Sequence, residues 1–122
     1  MSTLNKVQLI GNVVKDPDIK EISKGQHVAN LQMATSKQWK DSDWNKKENV
    51  EYHSVVLWWK LSDIVEKFVS KGKKIYIEWY LQTRTWEDDK KQKKYKTEIV
   101  AEDIILLGVP DKSEKEIDVK DV

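Results

Sequence analysis

Residues 50–86 change their apolar period twice, and that change does most to limit what the chain can fold into. Over 50–59 (VEYHSVVLWW) β-branched and aromatic residues alternate on a period of two, which predicts a strand. Val50, Tyr52, Ser54, Val56 and Trp58 share one face; Glu51, His53, Val55, Leu57 and Trp59 share the other. Residues 61–72 then carry Ile64, Val65, Phe68 and Val69 at i, i+1, i+4 and i+5, the stripe of a helix. Ser62 is the N-cap candidate, Asp63 falls in the first turn, Lys67 and Lys71 fall late, and Gly72 is placed to end the helix. Period two returns over 74–86 (KIYIEWYLQTRTW). Ile75, Ile77, Trp79 and Leu81 share one face there; Tyr76, Glu78, Tyr80, Gln82, Arg84 and Trp86 share the other.

The flanking segments extend the strand pattern. Residues 4–15 place Leu4, Val7, Leu9 and Val13 on one side and Ile10 and Val14 on the other, with Gly11 as a bend or bulge. Asp16-Pro17-Asp18 is a turn, 19–22 (IKEI) offer a short strand, and Ser23-Lys24-Gly25-Gln26 is the next turn. Residues 27–39 set Ala29, Leu31 and Met33 against Asn30 and Gln32. The charged segment 40–49 reads as a projecting hairpin with Trp44 exposed, 87–94 as a charged loop, and 95–107 as the last strand. Five main strands with a helix between strands 3 and 4 is the order of an all-β OB-fold, a Greek-key barrel that often binds oligonucleotides. Order alone does not assign a function. The helix's apolar stripe suits it to plug one end of the barrel.

Composition narrows the chemistry. The 122 residues suit one domain, 1–108, followed by a segment, 109–122, with no periodic apolar face and an expected lack of order. Whole-chain charge is +1, from 22 Lys plus Arg and 21 Asp plus Glu. It divides into +3 for 1–108 (19 basic, 16 acidic) and −2 for the tail (3 basic, 5 acidic). There is no cysteine, and His27 and His53 are the only histidines, so no metal, cofactor or thiol nucleophile is expected. No apolar run approaches the ~20 residues of a membrane span and no signal-peptide core is present, which predicts a cytoplasmic protein without membrane contact. Six tryptophans stand against one phenylalanine and four glycines, where roughly eight or nine glycines would be usual at ~7%.

Aromatics and cations fall together. Trp39-Lys40 closes one strand, Tyr52 and Trp58 share a face with Lys60 just beyond, and Arg84 and Trp86 share a face. Lys90, Lys91, Lys93, Lys94 and Lys96 follow. Aromatic faces that stack on bases and spaced cations that follow phosphates are what binding of unpaired strands requires. Tyr52 and Trp58 could equally be core aromatics on composition alone. The helix, with Asp63, Glu66, Lys67 and Lys71, is too close to neutral for duplex readout. No carboxylate cluster suggests a nuclease, and no enzyme is expected.

NKVQLIGN (5–12), DPDIK (16–20), VANLQMATSKQWKD (28–41), EYHSVVLW (51–58), KLSDIVEKFVSKGKKIYIE (60–78), LQTRTWED (81–88) and KYKTEIVAEDIILLG (94–108) together resemble the bacterial single-stranded DNA-binding protein family. The resemblance implies an OB-fold homotetramer that wraps single-stranded DNA in replication, recombination and repair, located with the nucleoid. It implies stacking by Trp39, Tyr52, Trp58 and Trp86, and backbone contacts by Lys6, Lys20, Lys40, Lys60, Arg84 and Lys94, with Lys71 and Lys73 weaker. It places His53 at a subunit contact and Tyr76 in a strand that joins dimers. RNA binding and a redesigned assembly scaffold are the alternatives. Where the family usually has glycine, this chain has Trp44, Trp59, Trp79 and Lys91. Trp79 lies on an apolar parity, so it must be expelled, flip the register at a bulge, or open the packing; overpacking costs ~1–3 kcal/mol. The unexpected tryptophans are expected to add aromatic surface near the DNA path or at subunit contacts. The tail ends IDVKDV rather than in an acidic stretch closed by Pro-Phe, so tail-mediated protein partners are not expected.

Overall fold

Inward parities of the period-two segments meet in one core. The structure, a computed structural model, describes residues 2–108; the tail lies outside the described residues. In chain order the elements are β1 (Val7–Val13), β2 (Asp18–Ser23), β3 (Gln26–Lys40), β4 (Lys46–Trp58), α1 (Lys60–Phe68), β5 (Lys74–Glu87) and β6 (Lys93–Leu107). They lie in the order β1-β5-β6-β4-β3-β2, and β1 also pairs with β3. That last pairing closes a five-stranded barrel and leaves β2 outside it, on the edge of β3. Pairing is antiparallel except between β4 and β6, which run parallel at Val55↔Ile99 and Val56↔Val100.

Ala29, Leu31 and Met33 of β3, Val55 and Leu57 of β4, Ile75 and Ile77 of β5, and Ile99, Ile104 and Leu106 of β6 fill the barrel. Val65 and Val69 enter from the helix, with Leu61 and Phe68 packed beside them. Gly11 is the bend: β1 pairs with β5 over Val7–Asn12 and must then meet β3 at Asn12 and Val13. A β-carbon there would fall on the Ala34 carbonyl oxygen, so only glycine lets the strands come this close.

Three expectations are corrected. Leu4 precedes β1 and is exposed, rather than sharing the buried face of Val7 and Leu9. Helix α1 starts earlier than expected, and Ser62 lies inside it, fully buried, with its hydroxyl unpartnered; Trp59 is the N-cap and offers no side-chain bond. The end of β4 decides this. Trp59 donates its N–H to the His27 carbonyl (3.0 Å), which turns the chain there, and the helix follows at once. Gly72 does not end the helix, which stops when Val69 turns extended (φ −108°, ψ 126°). Instead Gly72, at φ +91°, directs the chain into β5 and donates its N–H to Val13 (2.8 Å).

Trp79 is expelled at a bulge. The partners of Glu78 and Trp79 on β6 are Asp103 and Ala101, which leaves Glu102 as the extra residue. Ala101 stays in the core, while Trp79 and Leu81 face solvent beyond the barrel wall.

Candidate nucleic-acid interface

Beyond the barrel, β3–β4 and β5–β6 continue as two ribbons whose side chains are almost all exposed. Each ends in the same turn. Asp41 Oδ1 accepts the N–H groups of Asp43 and Asn45 (both 2.9 Å), and Asp88 Oδ1 accepts those of Lys90 and Gln92 (both 2.9 Å). The backbone bonds correspond as well: Trp44 N–H to the Asp41 carbonyl and Lys91 N–H to the Asp88 carbonyl, both 3.0 Å. The fourth residue of each turn is left-handed, Trp44 at φ 63° and Lys91 at φ 60°. Aspartate suits the first position because its short carboxylate reaches backbone N–H groups two residues on. The glycine-poor chain thus turns its long hairpins on aspartate. The shared Asp-x-x-x-Asn/Gln spacing at 41–45 and 88–92 is the sequence signal for these turns.

Trp39 stands on β3 opposite Lys47, Tyr52 on β4 opposite Ala34, Trp58 on β4 opposite Val28, and Trp86 on β5 opposite Lys94. All four rings are exposed, so the core alternative for Tyr52 and Trp58 is excluded. On the barrel face at the foot of the β5–β6 arm lies a groove of about 420 Å³ that brings Lys20, Trp58 and Arg84 together with Lys15, Asp18, Lys96 and Glu98. Arg84 lies 5.1 Å over the Trp86 ring, a cation–π stack, and its Nε is 3.3 Å from Glu98 Oε1. Lys40 stacks likewise over Trp44, at 5.4 Å.

The remaining cations lie elsewhere. Lys60 opens α1 and is exposed. Lys94, on the β5–β6 arm, is 3.9 Å from Asp88; within the groove, Lys20 is 3.8 Å from Asp18. Lys6 belongs to a separate cluster on the β1–β5 surface, 3.4 Å from Glu78. There the Tyr76 hydroxyl donates a short hydrogen bond to Glu78, and Gln8 Nε2 donates to it at 2.9 Å. The Tyr76 bond, followed by that of Gln8, holds the Glu78 carboxyl below its usual 4.5; the same bond, with some desolvation, raises the Tyr76 hydroxyl above 10.0. His53 Nε2 meets Thr35 Oγ1 at 2.9 Å. No group of three or more potential metal-ligating side chains occurs among the described residues, and no helix there is long and apolar enough to cross a membrane.

The single-strand binding protein family model matches residues 4–107. The chain belongs to that family. It is 49% identical over 109 residues to single-stranded DNA-binding protein 1 of Chlorobaculum tepidum, spanning 88% of this chain and 67% of that one. It is 48% identical over 111 residues to the single-stranded DNA-binding protein of Rickettsia typhi, spanning 86% and 73%. In three dimensions it resembles the Plasmodium falciparum SSB in complex with ssDNA, with a TM-score of 0.77, 34% identity, and coverage of 88% of this chain and 98% of that one. The OB-fold expected from the order of strands and helix is therefore the fold of this family member.

Proposed function

We propose that this chain binds single-stranded DNA without sequence preference, shielding unpaired strands during replication, recombination and repair. The observation that carries the reading is the groove in which Lys20, Trp58 and Arg84 lie together, with Arg84 stacked on the exposed Trp86 ring. Trp39, Tyr52, Trp58 and Trp86 stack on bases. Lys20, Lys40, Lys60, Arg84 and Lys94 follow the phosphates. The role is binding rather than catalysis, in the cytoplasm. Lys6, Tyr76 and His53 serve subunit contacts in a homotetramer, Lys6 because it shares the β1–β5 surface with Tyr76 and Glu78 and does not line the groove.

Titration with oligo(dT), read by tryptophan quenching and by solution mass, tests the reading. Quenching is expected, with log affinity falling against log salt by about 0.7 per phosphate contacted. A flat salt response without quenching would reject it. Tighter binding of a matched oligo(rU) would favour the RNA alternative, with Asn30, Gln32 and Ser54 of the groove as the polar side chains able to meet a 2′-hydroxyl.

A further inference from the structure

Glu98 is a buried carboxylate, 6% exposed, in a groove read as a site for a polyanion. Its charge opposes that ligand, and burying a carboxylate is costly unless it is paired. Its partner is Arg84, two rungs further along the β5–β6 ladder, where Gln82 faces Glu98 and Arg84 faces Lys96. The contact is to Nε, at 3.3 Å. A carboxylate held on Nε leaves other N–H donors of the guanidinium free while its plane rests on the Trp86 ring, 5.1 Å away. Arginine on a long exposed strand would otherwise sample many rotamers.

We propose that Glu98 is a positioning residue for DNA binding: it grips Arg84 by Nε, fixes the guanidinium on Trp86, and so presents its free donors to a phosphate of the strand in the groove. This rests on the groove being the single-stranded DNA site. The two possible effects of Glu98 have opposite signs, which makes the test sharp. If the carboxylate acts only as a charge, Glu98→Gln tightens DNA binding. If it positions Arg84, Glu98→Gln weakens it.

The expected result with oligo(dT) is a roughly five- to tenfold loss for Glu98→Gln and a salt slope shallower by about 0.7, one phosphate contact. Glu98→Gln added to Arg84→Ala should then cost nothing more. Arg84→Lys serves if Glu98→Gln fails to fold: lysine keeps the charge but has neither Nε nor a plane, so it should lose nearly as much as Arg84→Ala. Unchanged or tighter binding by Glu98→Gln, or wild-type binding by Arg84→Lys, overturns the positioning role. Loss of neither affinity nor salt slope in Arg84→Ala overturns the groove reading itself, and the positioning role with it.

A different observation carries a second inference. Trp44 (φ 63°) and Trp59 (φ 53°, ψ −117°) occupy backbone that side chains rarely adopt, and the Trp59 conformation is one that glycine dominates. Neither ring is buried in exchange for the strain, and Trp79 is expelled at a bulge. Trp39, Trp58 and Trp86 lie in strands without positive φ. We infer that positions 44, 59 and 79 carry glycine in the protein made by its own cells, encoded by UGA, a codon that variant genetic codes read as either tryptophan or glycine. Peptide masses of the protein isolated from those cells decide it: glycine at all three positions is expected, and tryptophan at 44 or 59 overturns the inference. Melting curves give an independent check on the backbone argument. Recombinant chain carrying Trp44→Gly and Trp59→Gly should melt higher than the tryptophan chain, and a lower melting temperature overturns that argument.

Discussion

The two arms end in one turn but hold their cations by different means. On the β5–β6 arm Arg84 is pinned between a buried carboxylate and the Trp86 ring two residues along the same strand face. On the β3–β4 arm Lys40 rests on Trp44, a ring on the turn itself and 77% exposed. One arm presents a fixed aromatic–cation pair rooted in the barrel wall; the other presents a solvated cation free to re-aim, with a ring beside it only where position 44 is tryptophan. A strand passing between them meets one rigid and one adaptable surface, which suits a ligand of irregular shape.

That contrast can be broken most directly at the rings. A stacked base is worth ~1–3 kcal/mol, so Trp86→Ala should weaken oligo(dT) binding towards the upper end of that range and Trp39→Ala towards the lower end, read by anisotropy titration. Equal losses would remove the distinction between the arms.

Next in size is the turn carboxylate. Asp41→Ala and Asp88→Ala each remove two backbone hydrogen bonds. Each should cost about 1 kcal/mol, less than two full bonds because the turns are exposed. Faster amide exchange should appear at Asp43 and Asn45 in the first variant and at Lys90 and Gln92 in the second. Changes at the barrel amides instead would show that the arms are not independent.

The left-handed positions give a smaller and finer comparison. Lys91→Gly and Trp44→Gly relieve the same backbone strain, at about 1 kcal/mol each. Trp44→Gly also removes the Lys40 stack, worth ~0.5–1 kcal/mol at an exposed site. Thermal melts should therefore rise more for Lys91→Gly than for Trp44→Gly.

The smallest effect lies away from both arms. Glu78 titrates below its usual 4.5 in the folded chain, because Tyr76 and Gln8 donate to its ionised form. Its contribution is therefore complete above that value and is lost as pH falls through the lowered folded value. Glu78→Gln should lower stability slightly at neutral pH, where the contribution is complete, and flatten the acid limb of the stability profile below pH 4.5.

The core was legible because alternation leaves little choice: Ala29, Leu31 and Met33, and Ile75 and Ile77, could point only inward together. The helix start was not, because a turn at Trp59 outranked a better capping residue at Ser62. Composition could not tell Tyr52 and Trp58 from core aromatics, because either side of an alternating strand can face inward; the structure leaves both exposed and puts Trp58 in one groove with Arg84. Glu98 was not legible, since whether a carboxylate on a strand is buried depends on which cation the opposite strand offers. Nor did the sequence show that Lys6 faces Glu78 on a different surface from the arms.

The closure at Gly11 bears on how the chain is made. β1 shares two rungs with β3, Asn12↔Ala34 and Val13↔Met33, but six with β5, from Val7↔Trp79 to Asn12↔Lys74. Of the six described strands it leaves the ribosome before the rest, and it has little to hold it until β5 follows more than sixty residues later. Pairing at such sequence separation carries a loop-closure cost and slows folding. The earliest of these six strands is thus among the last to settle, and pulse-labelled exchange during refolding should find the β1 amides protected after those of the β3–β4 hairpin.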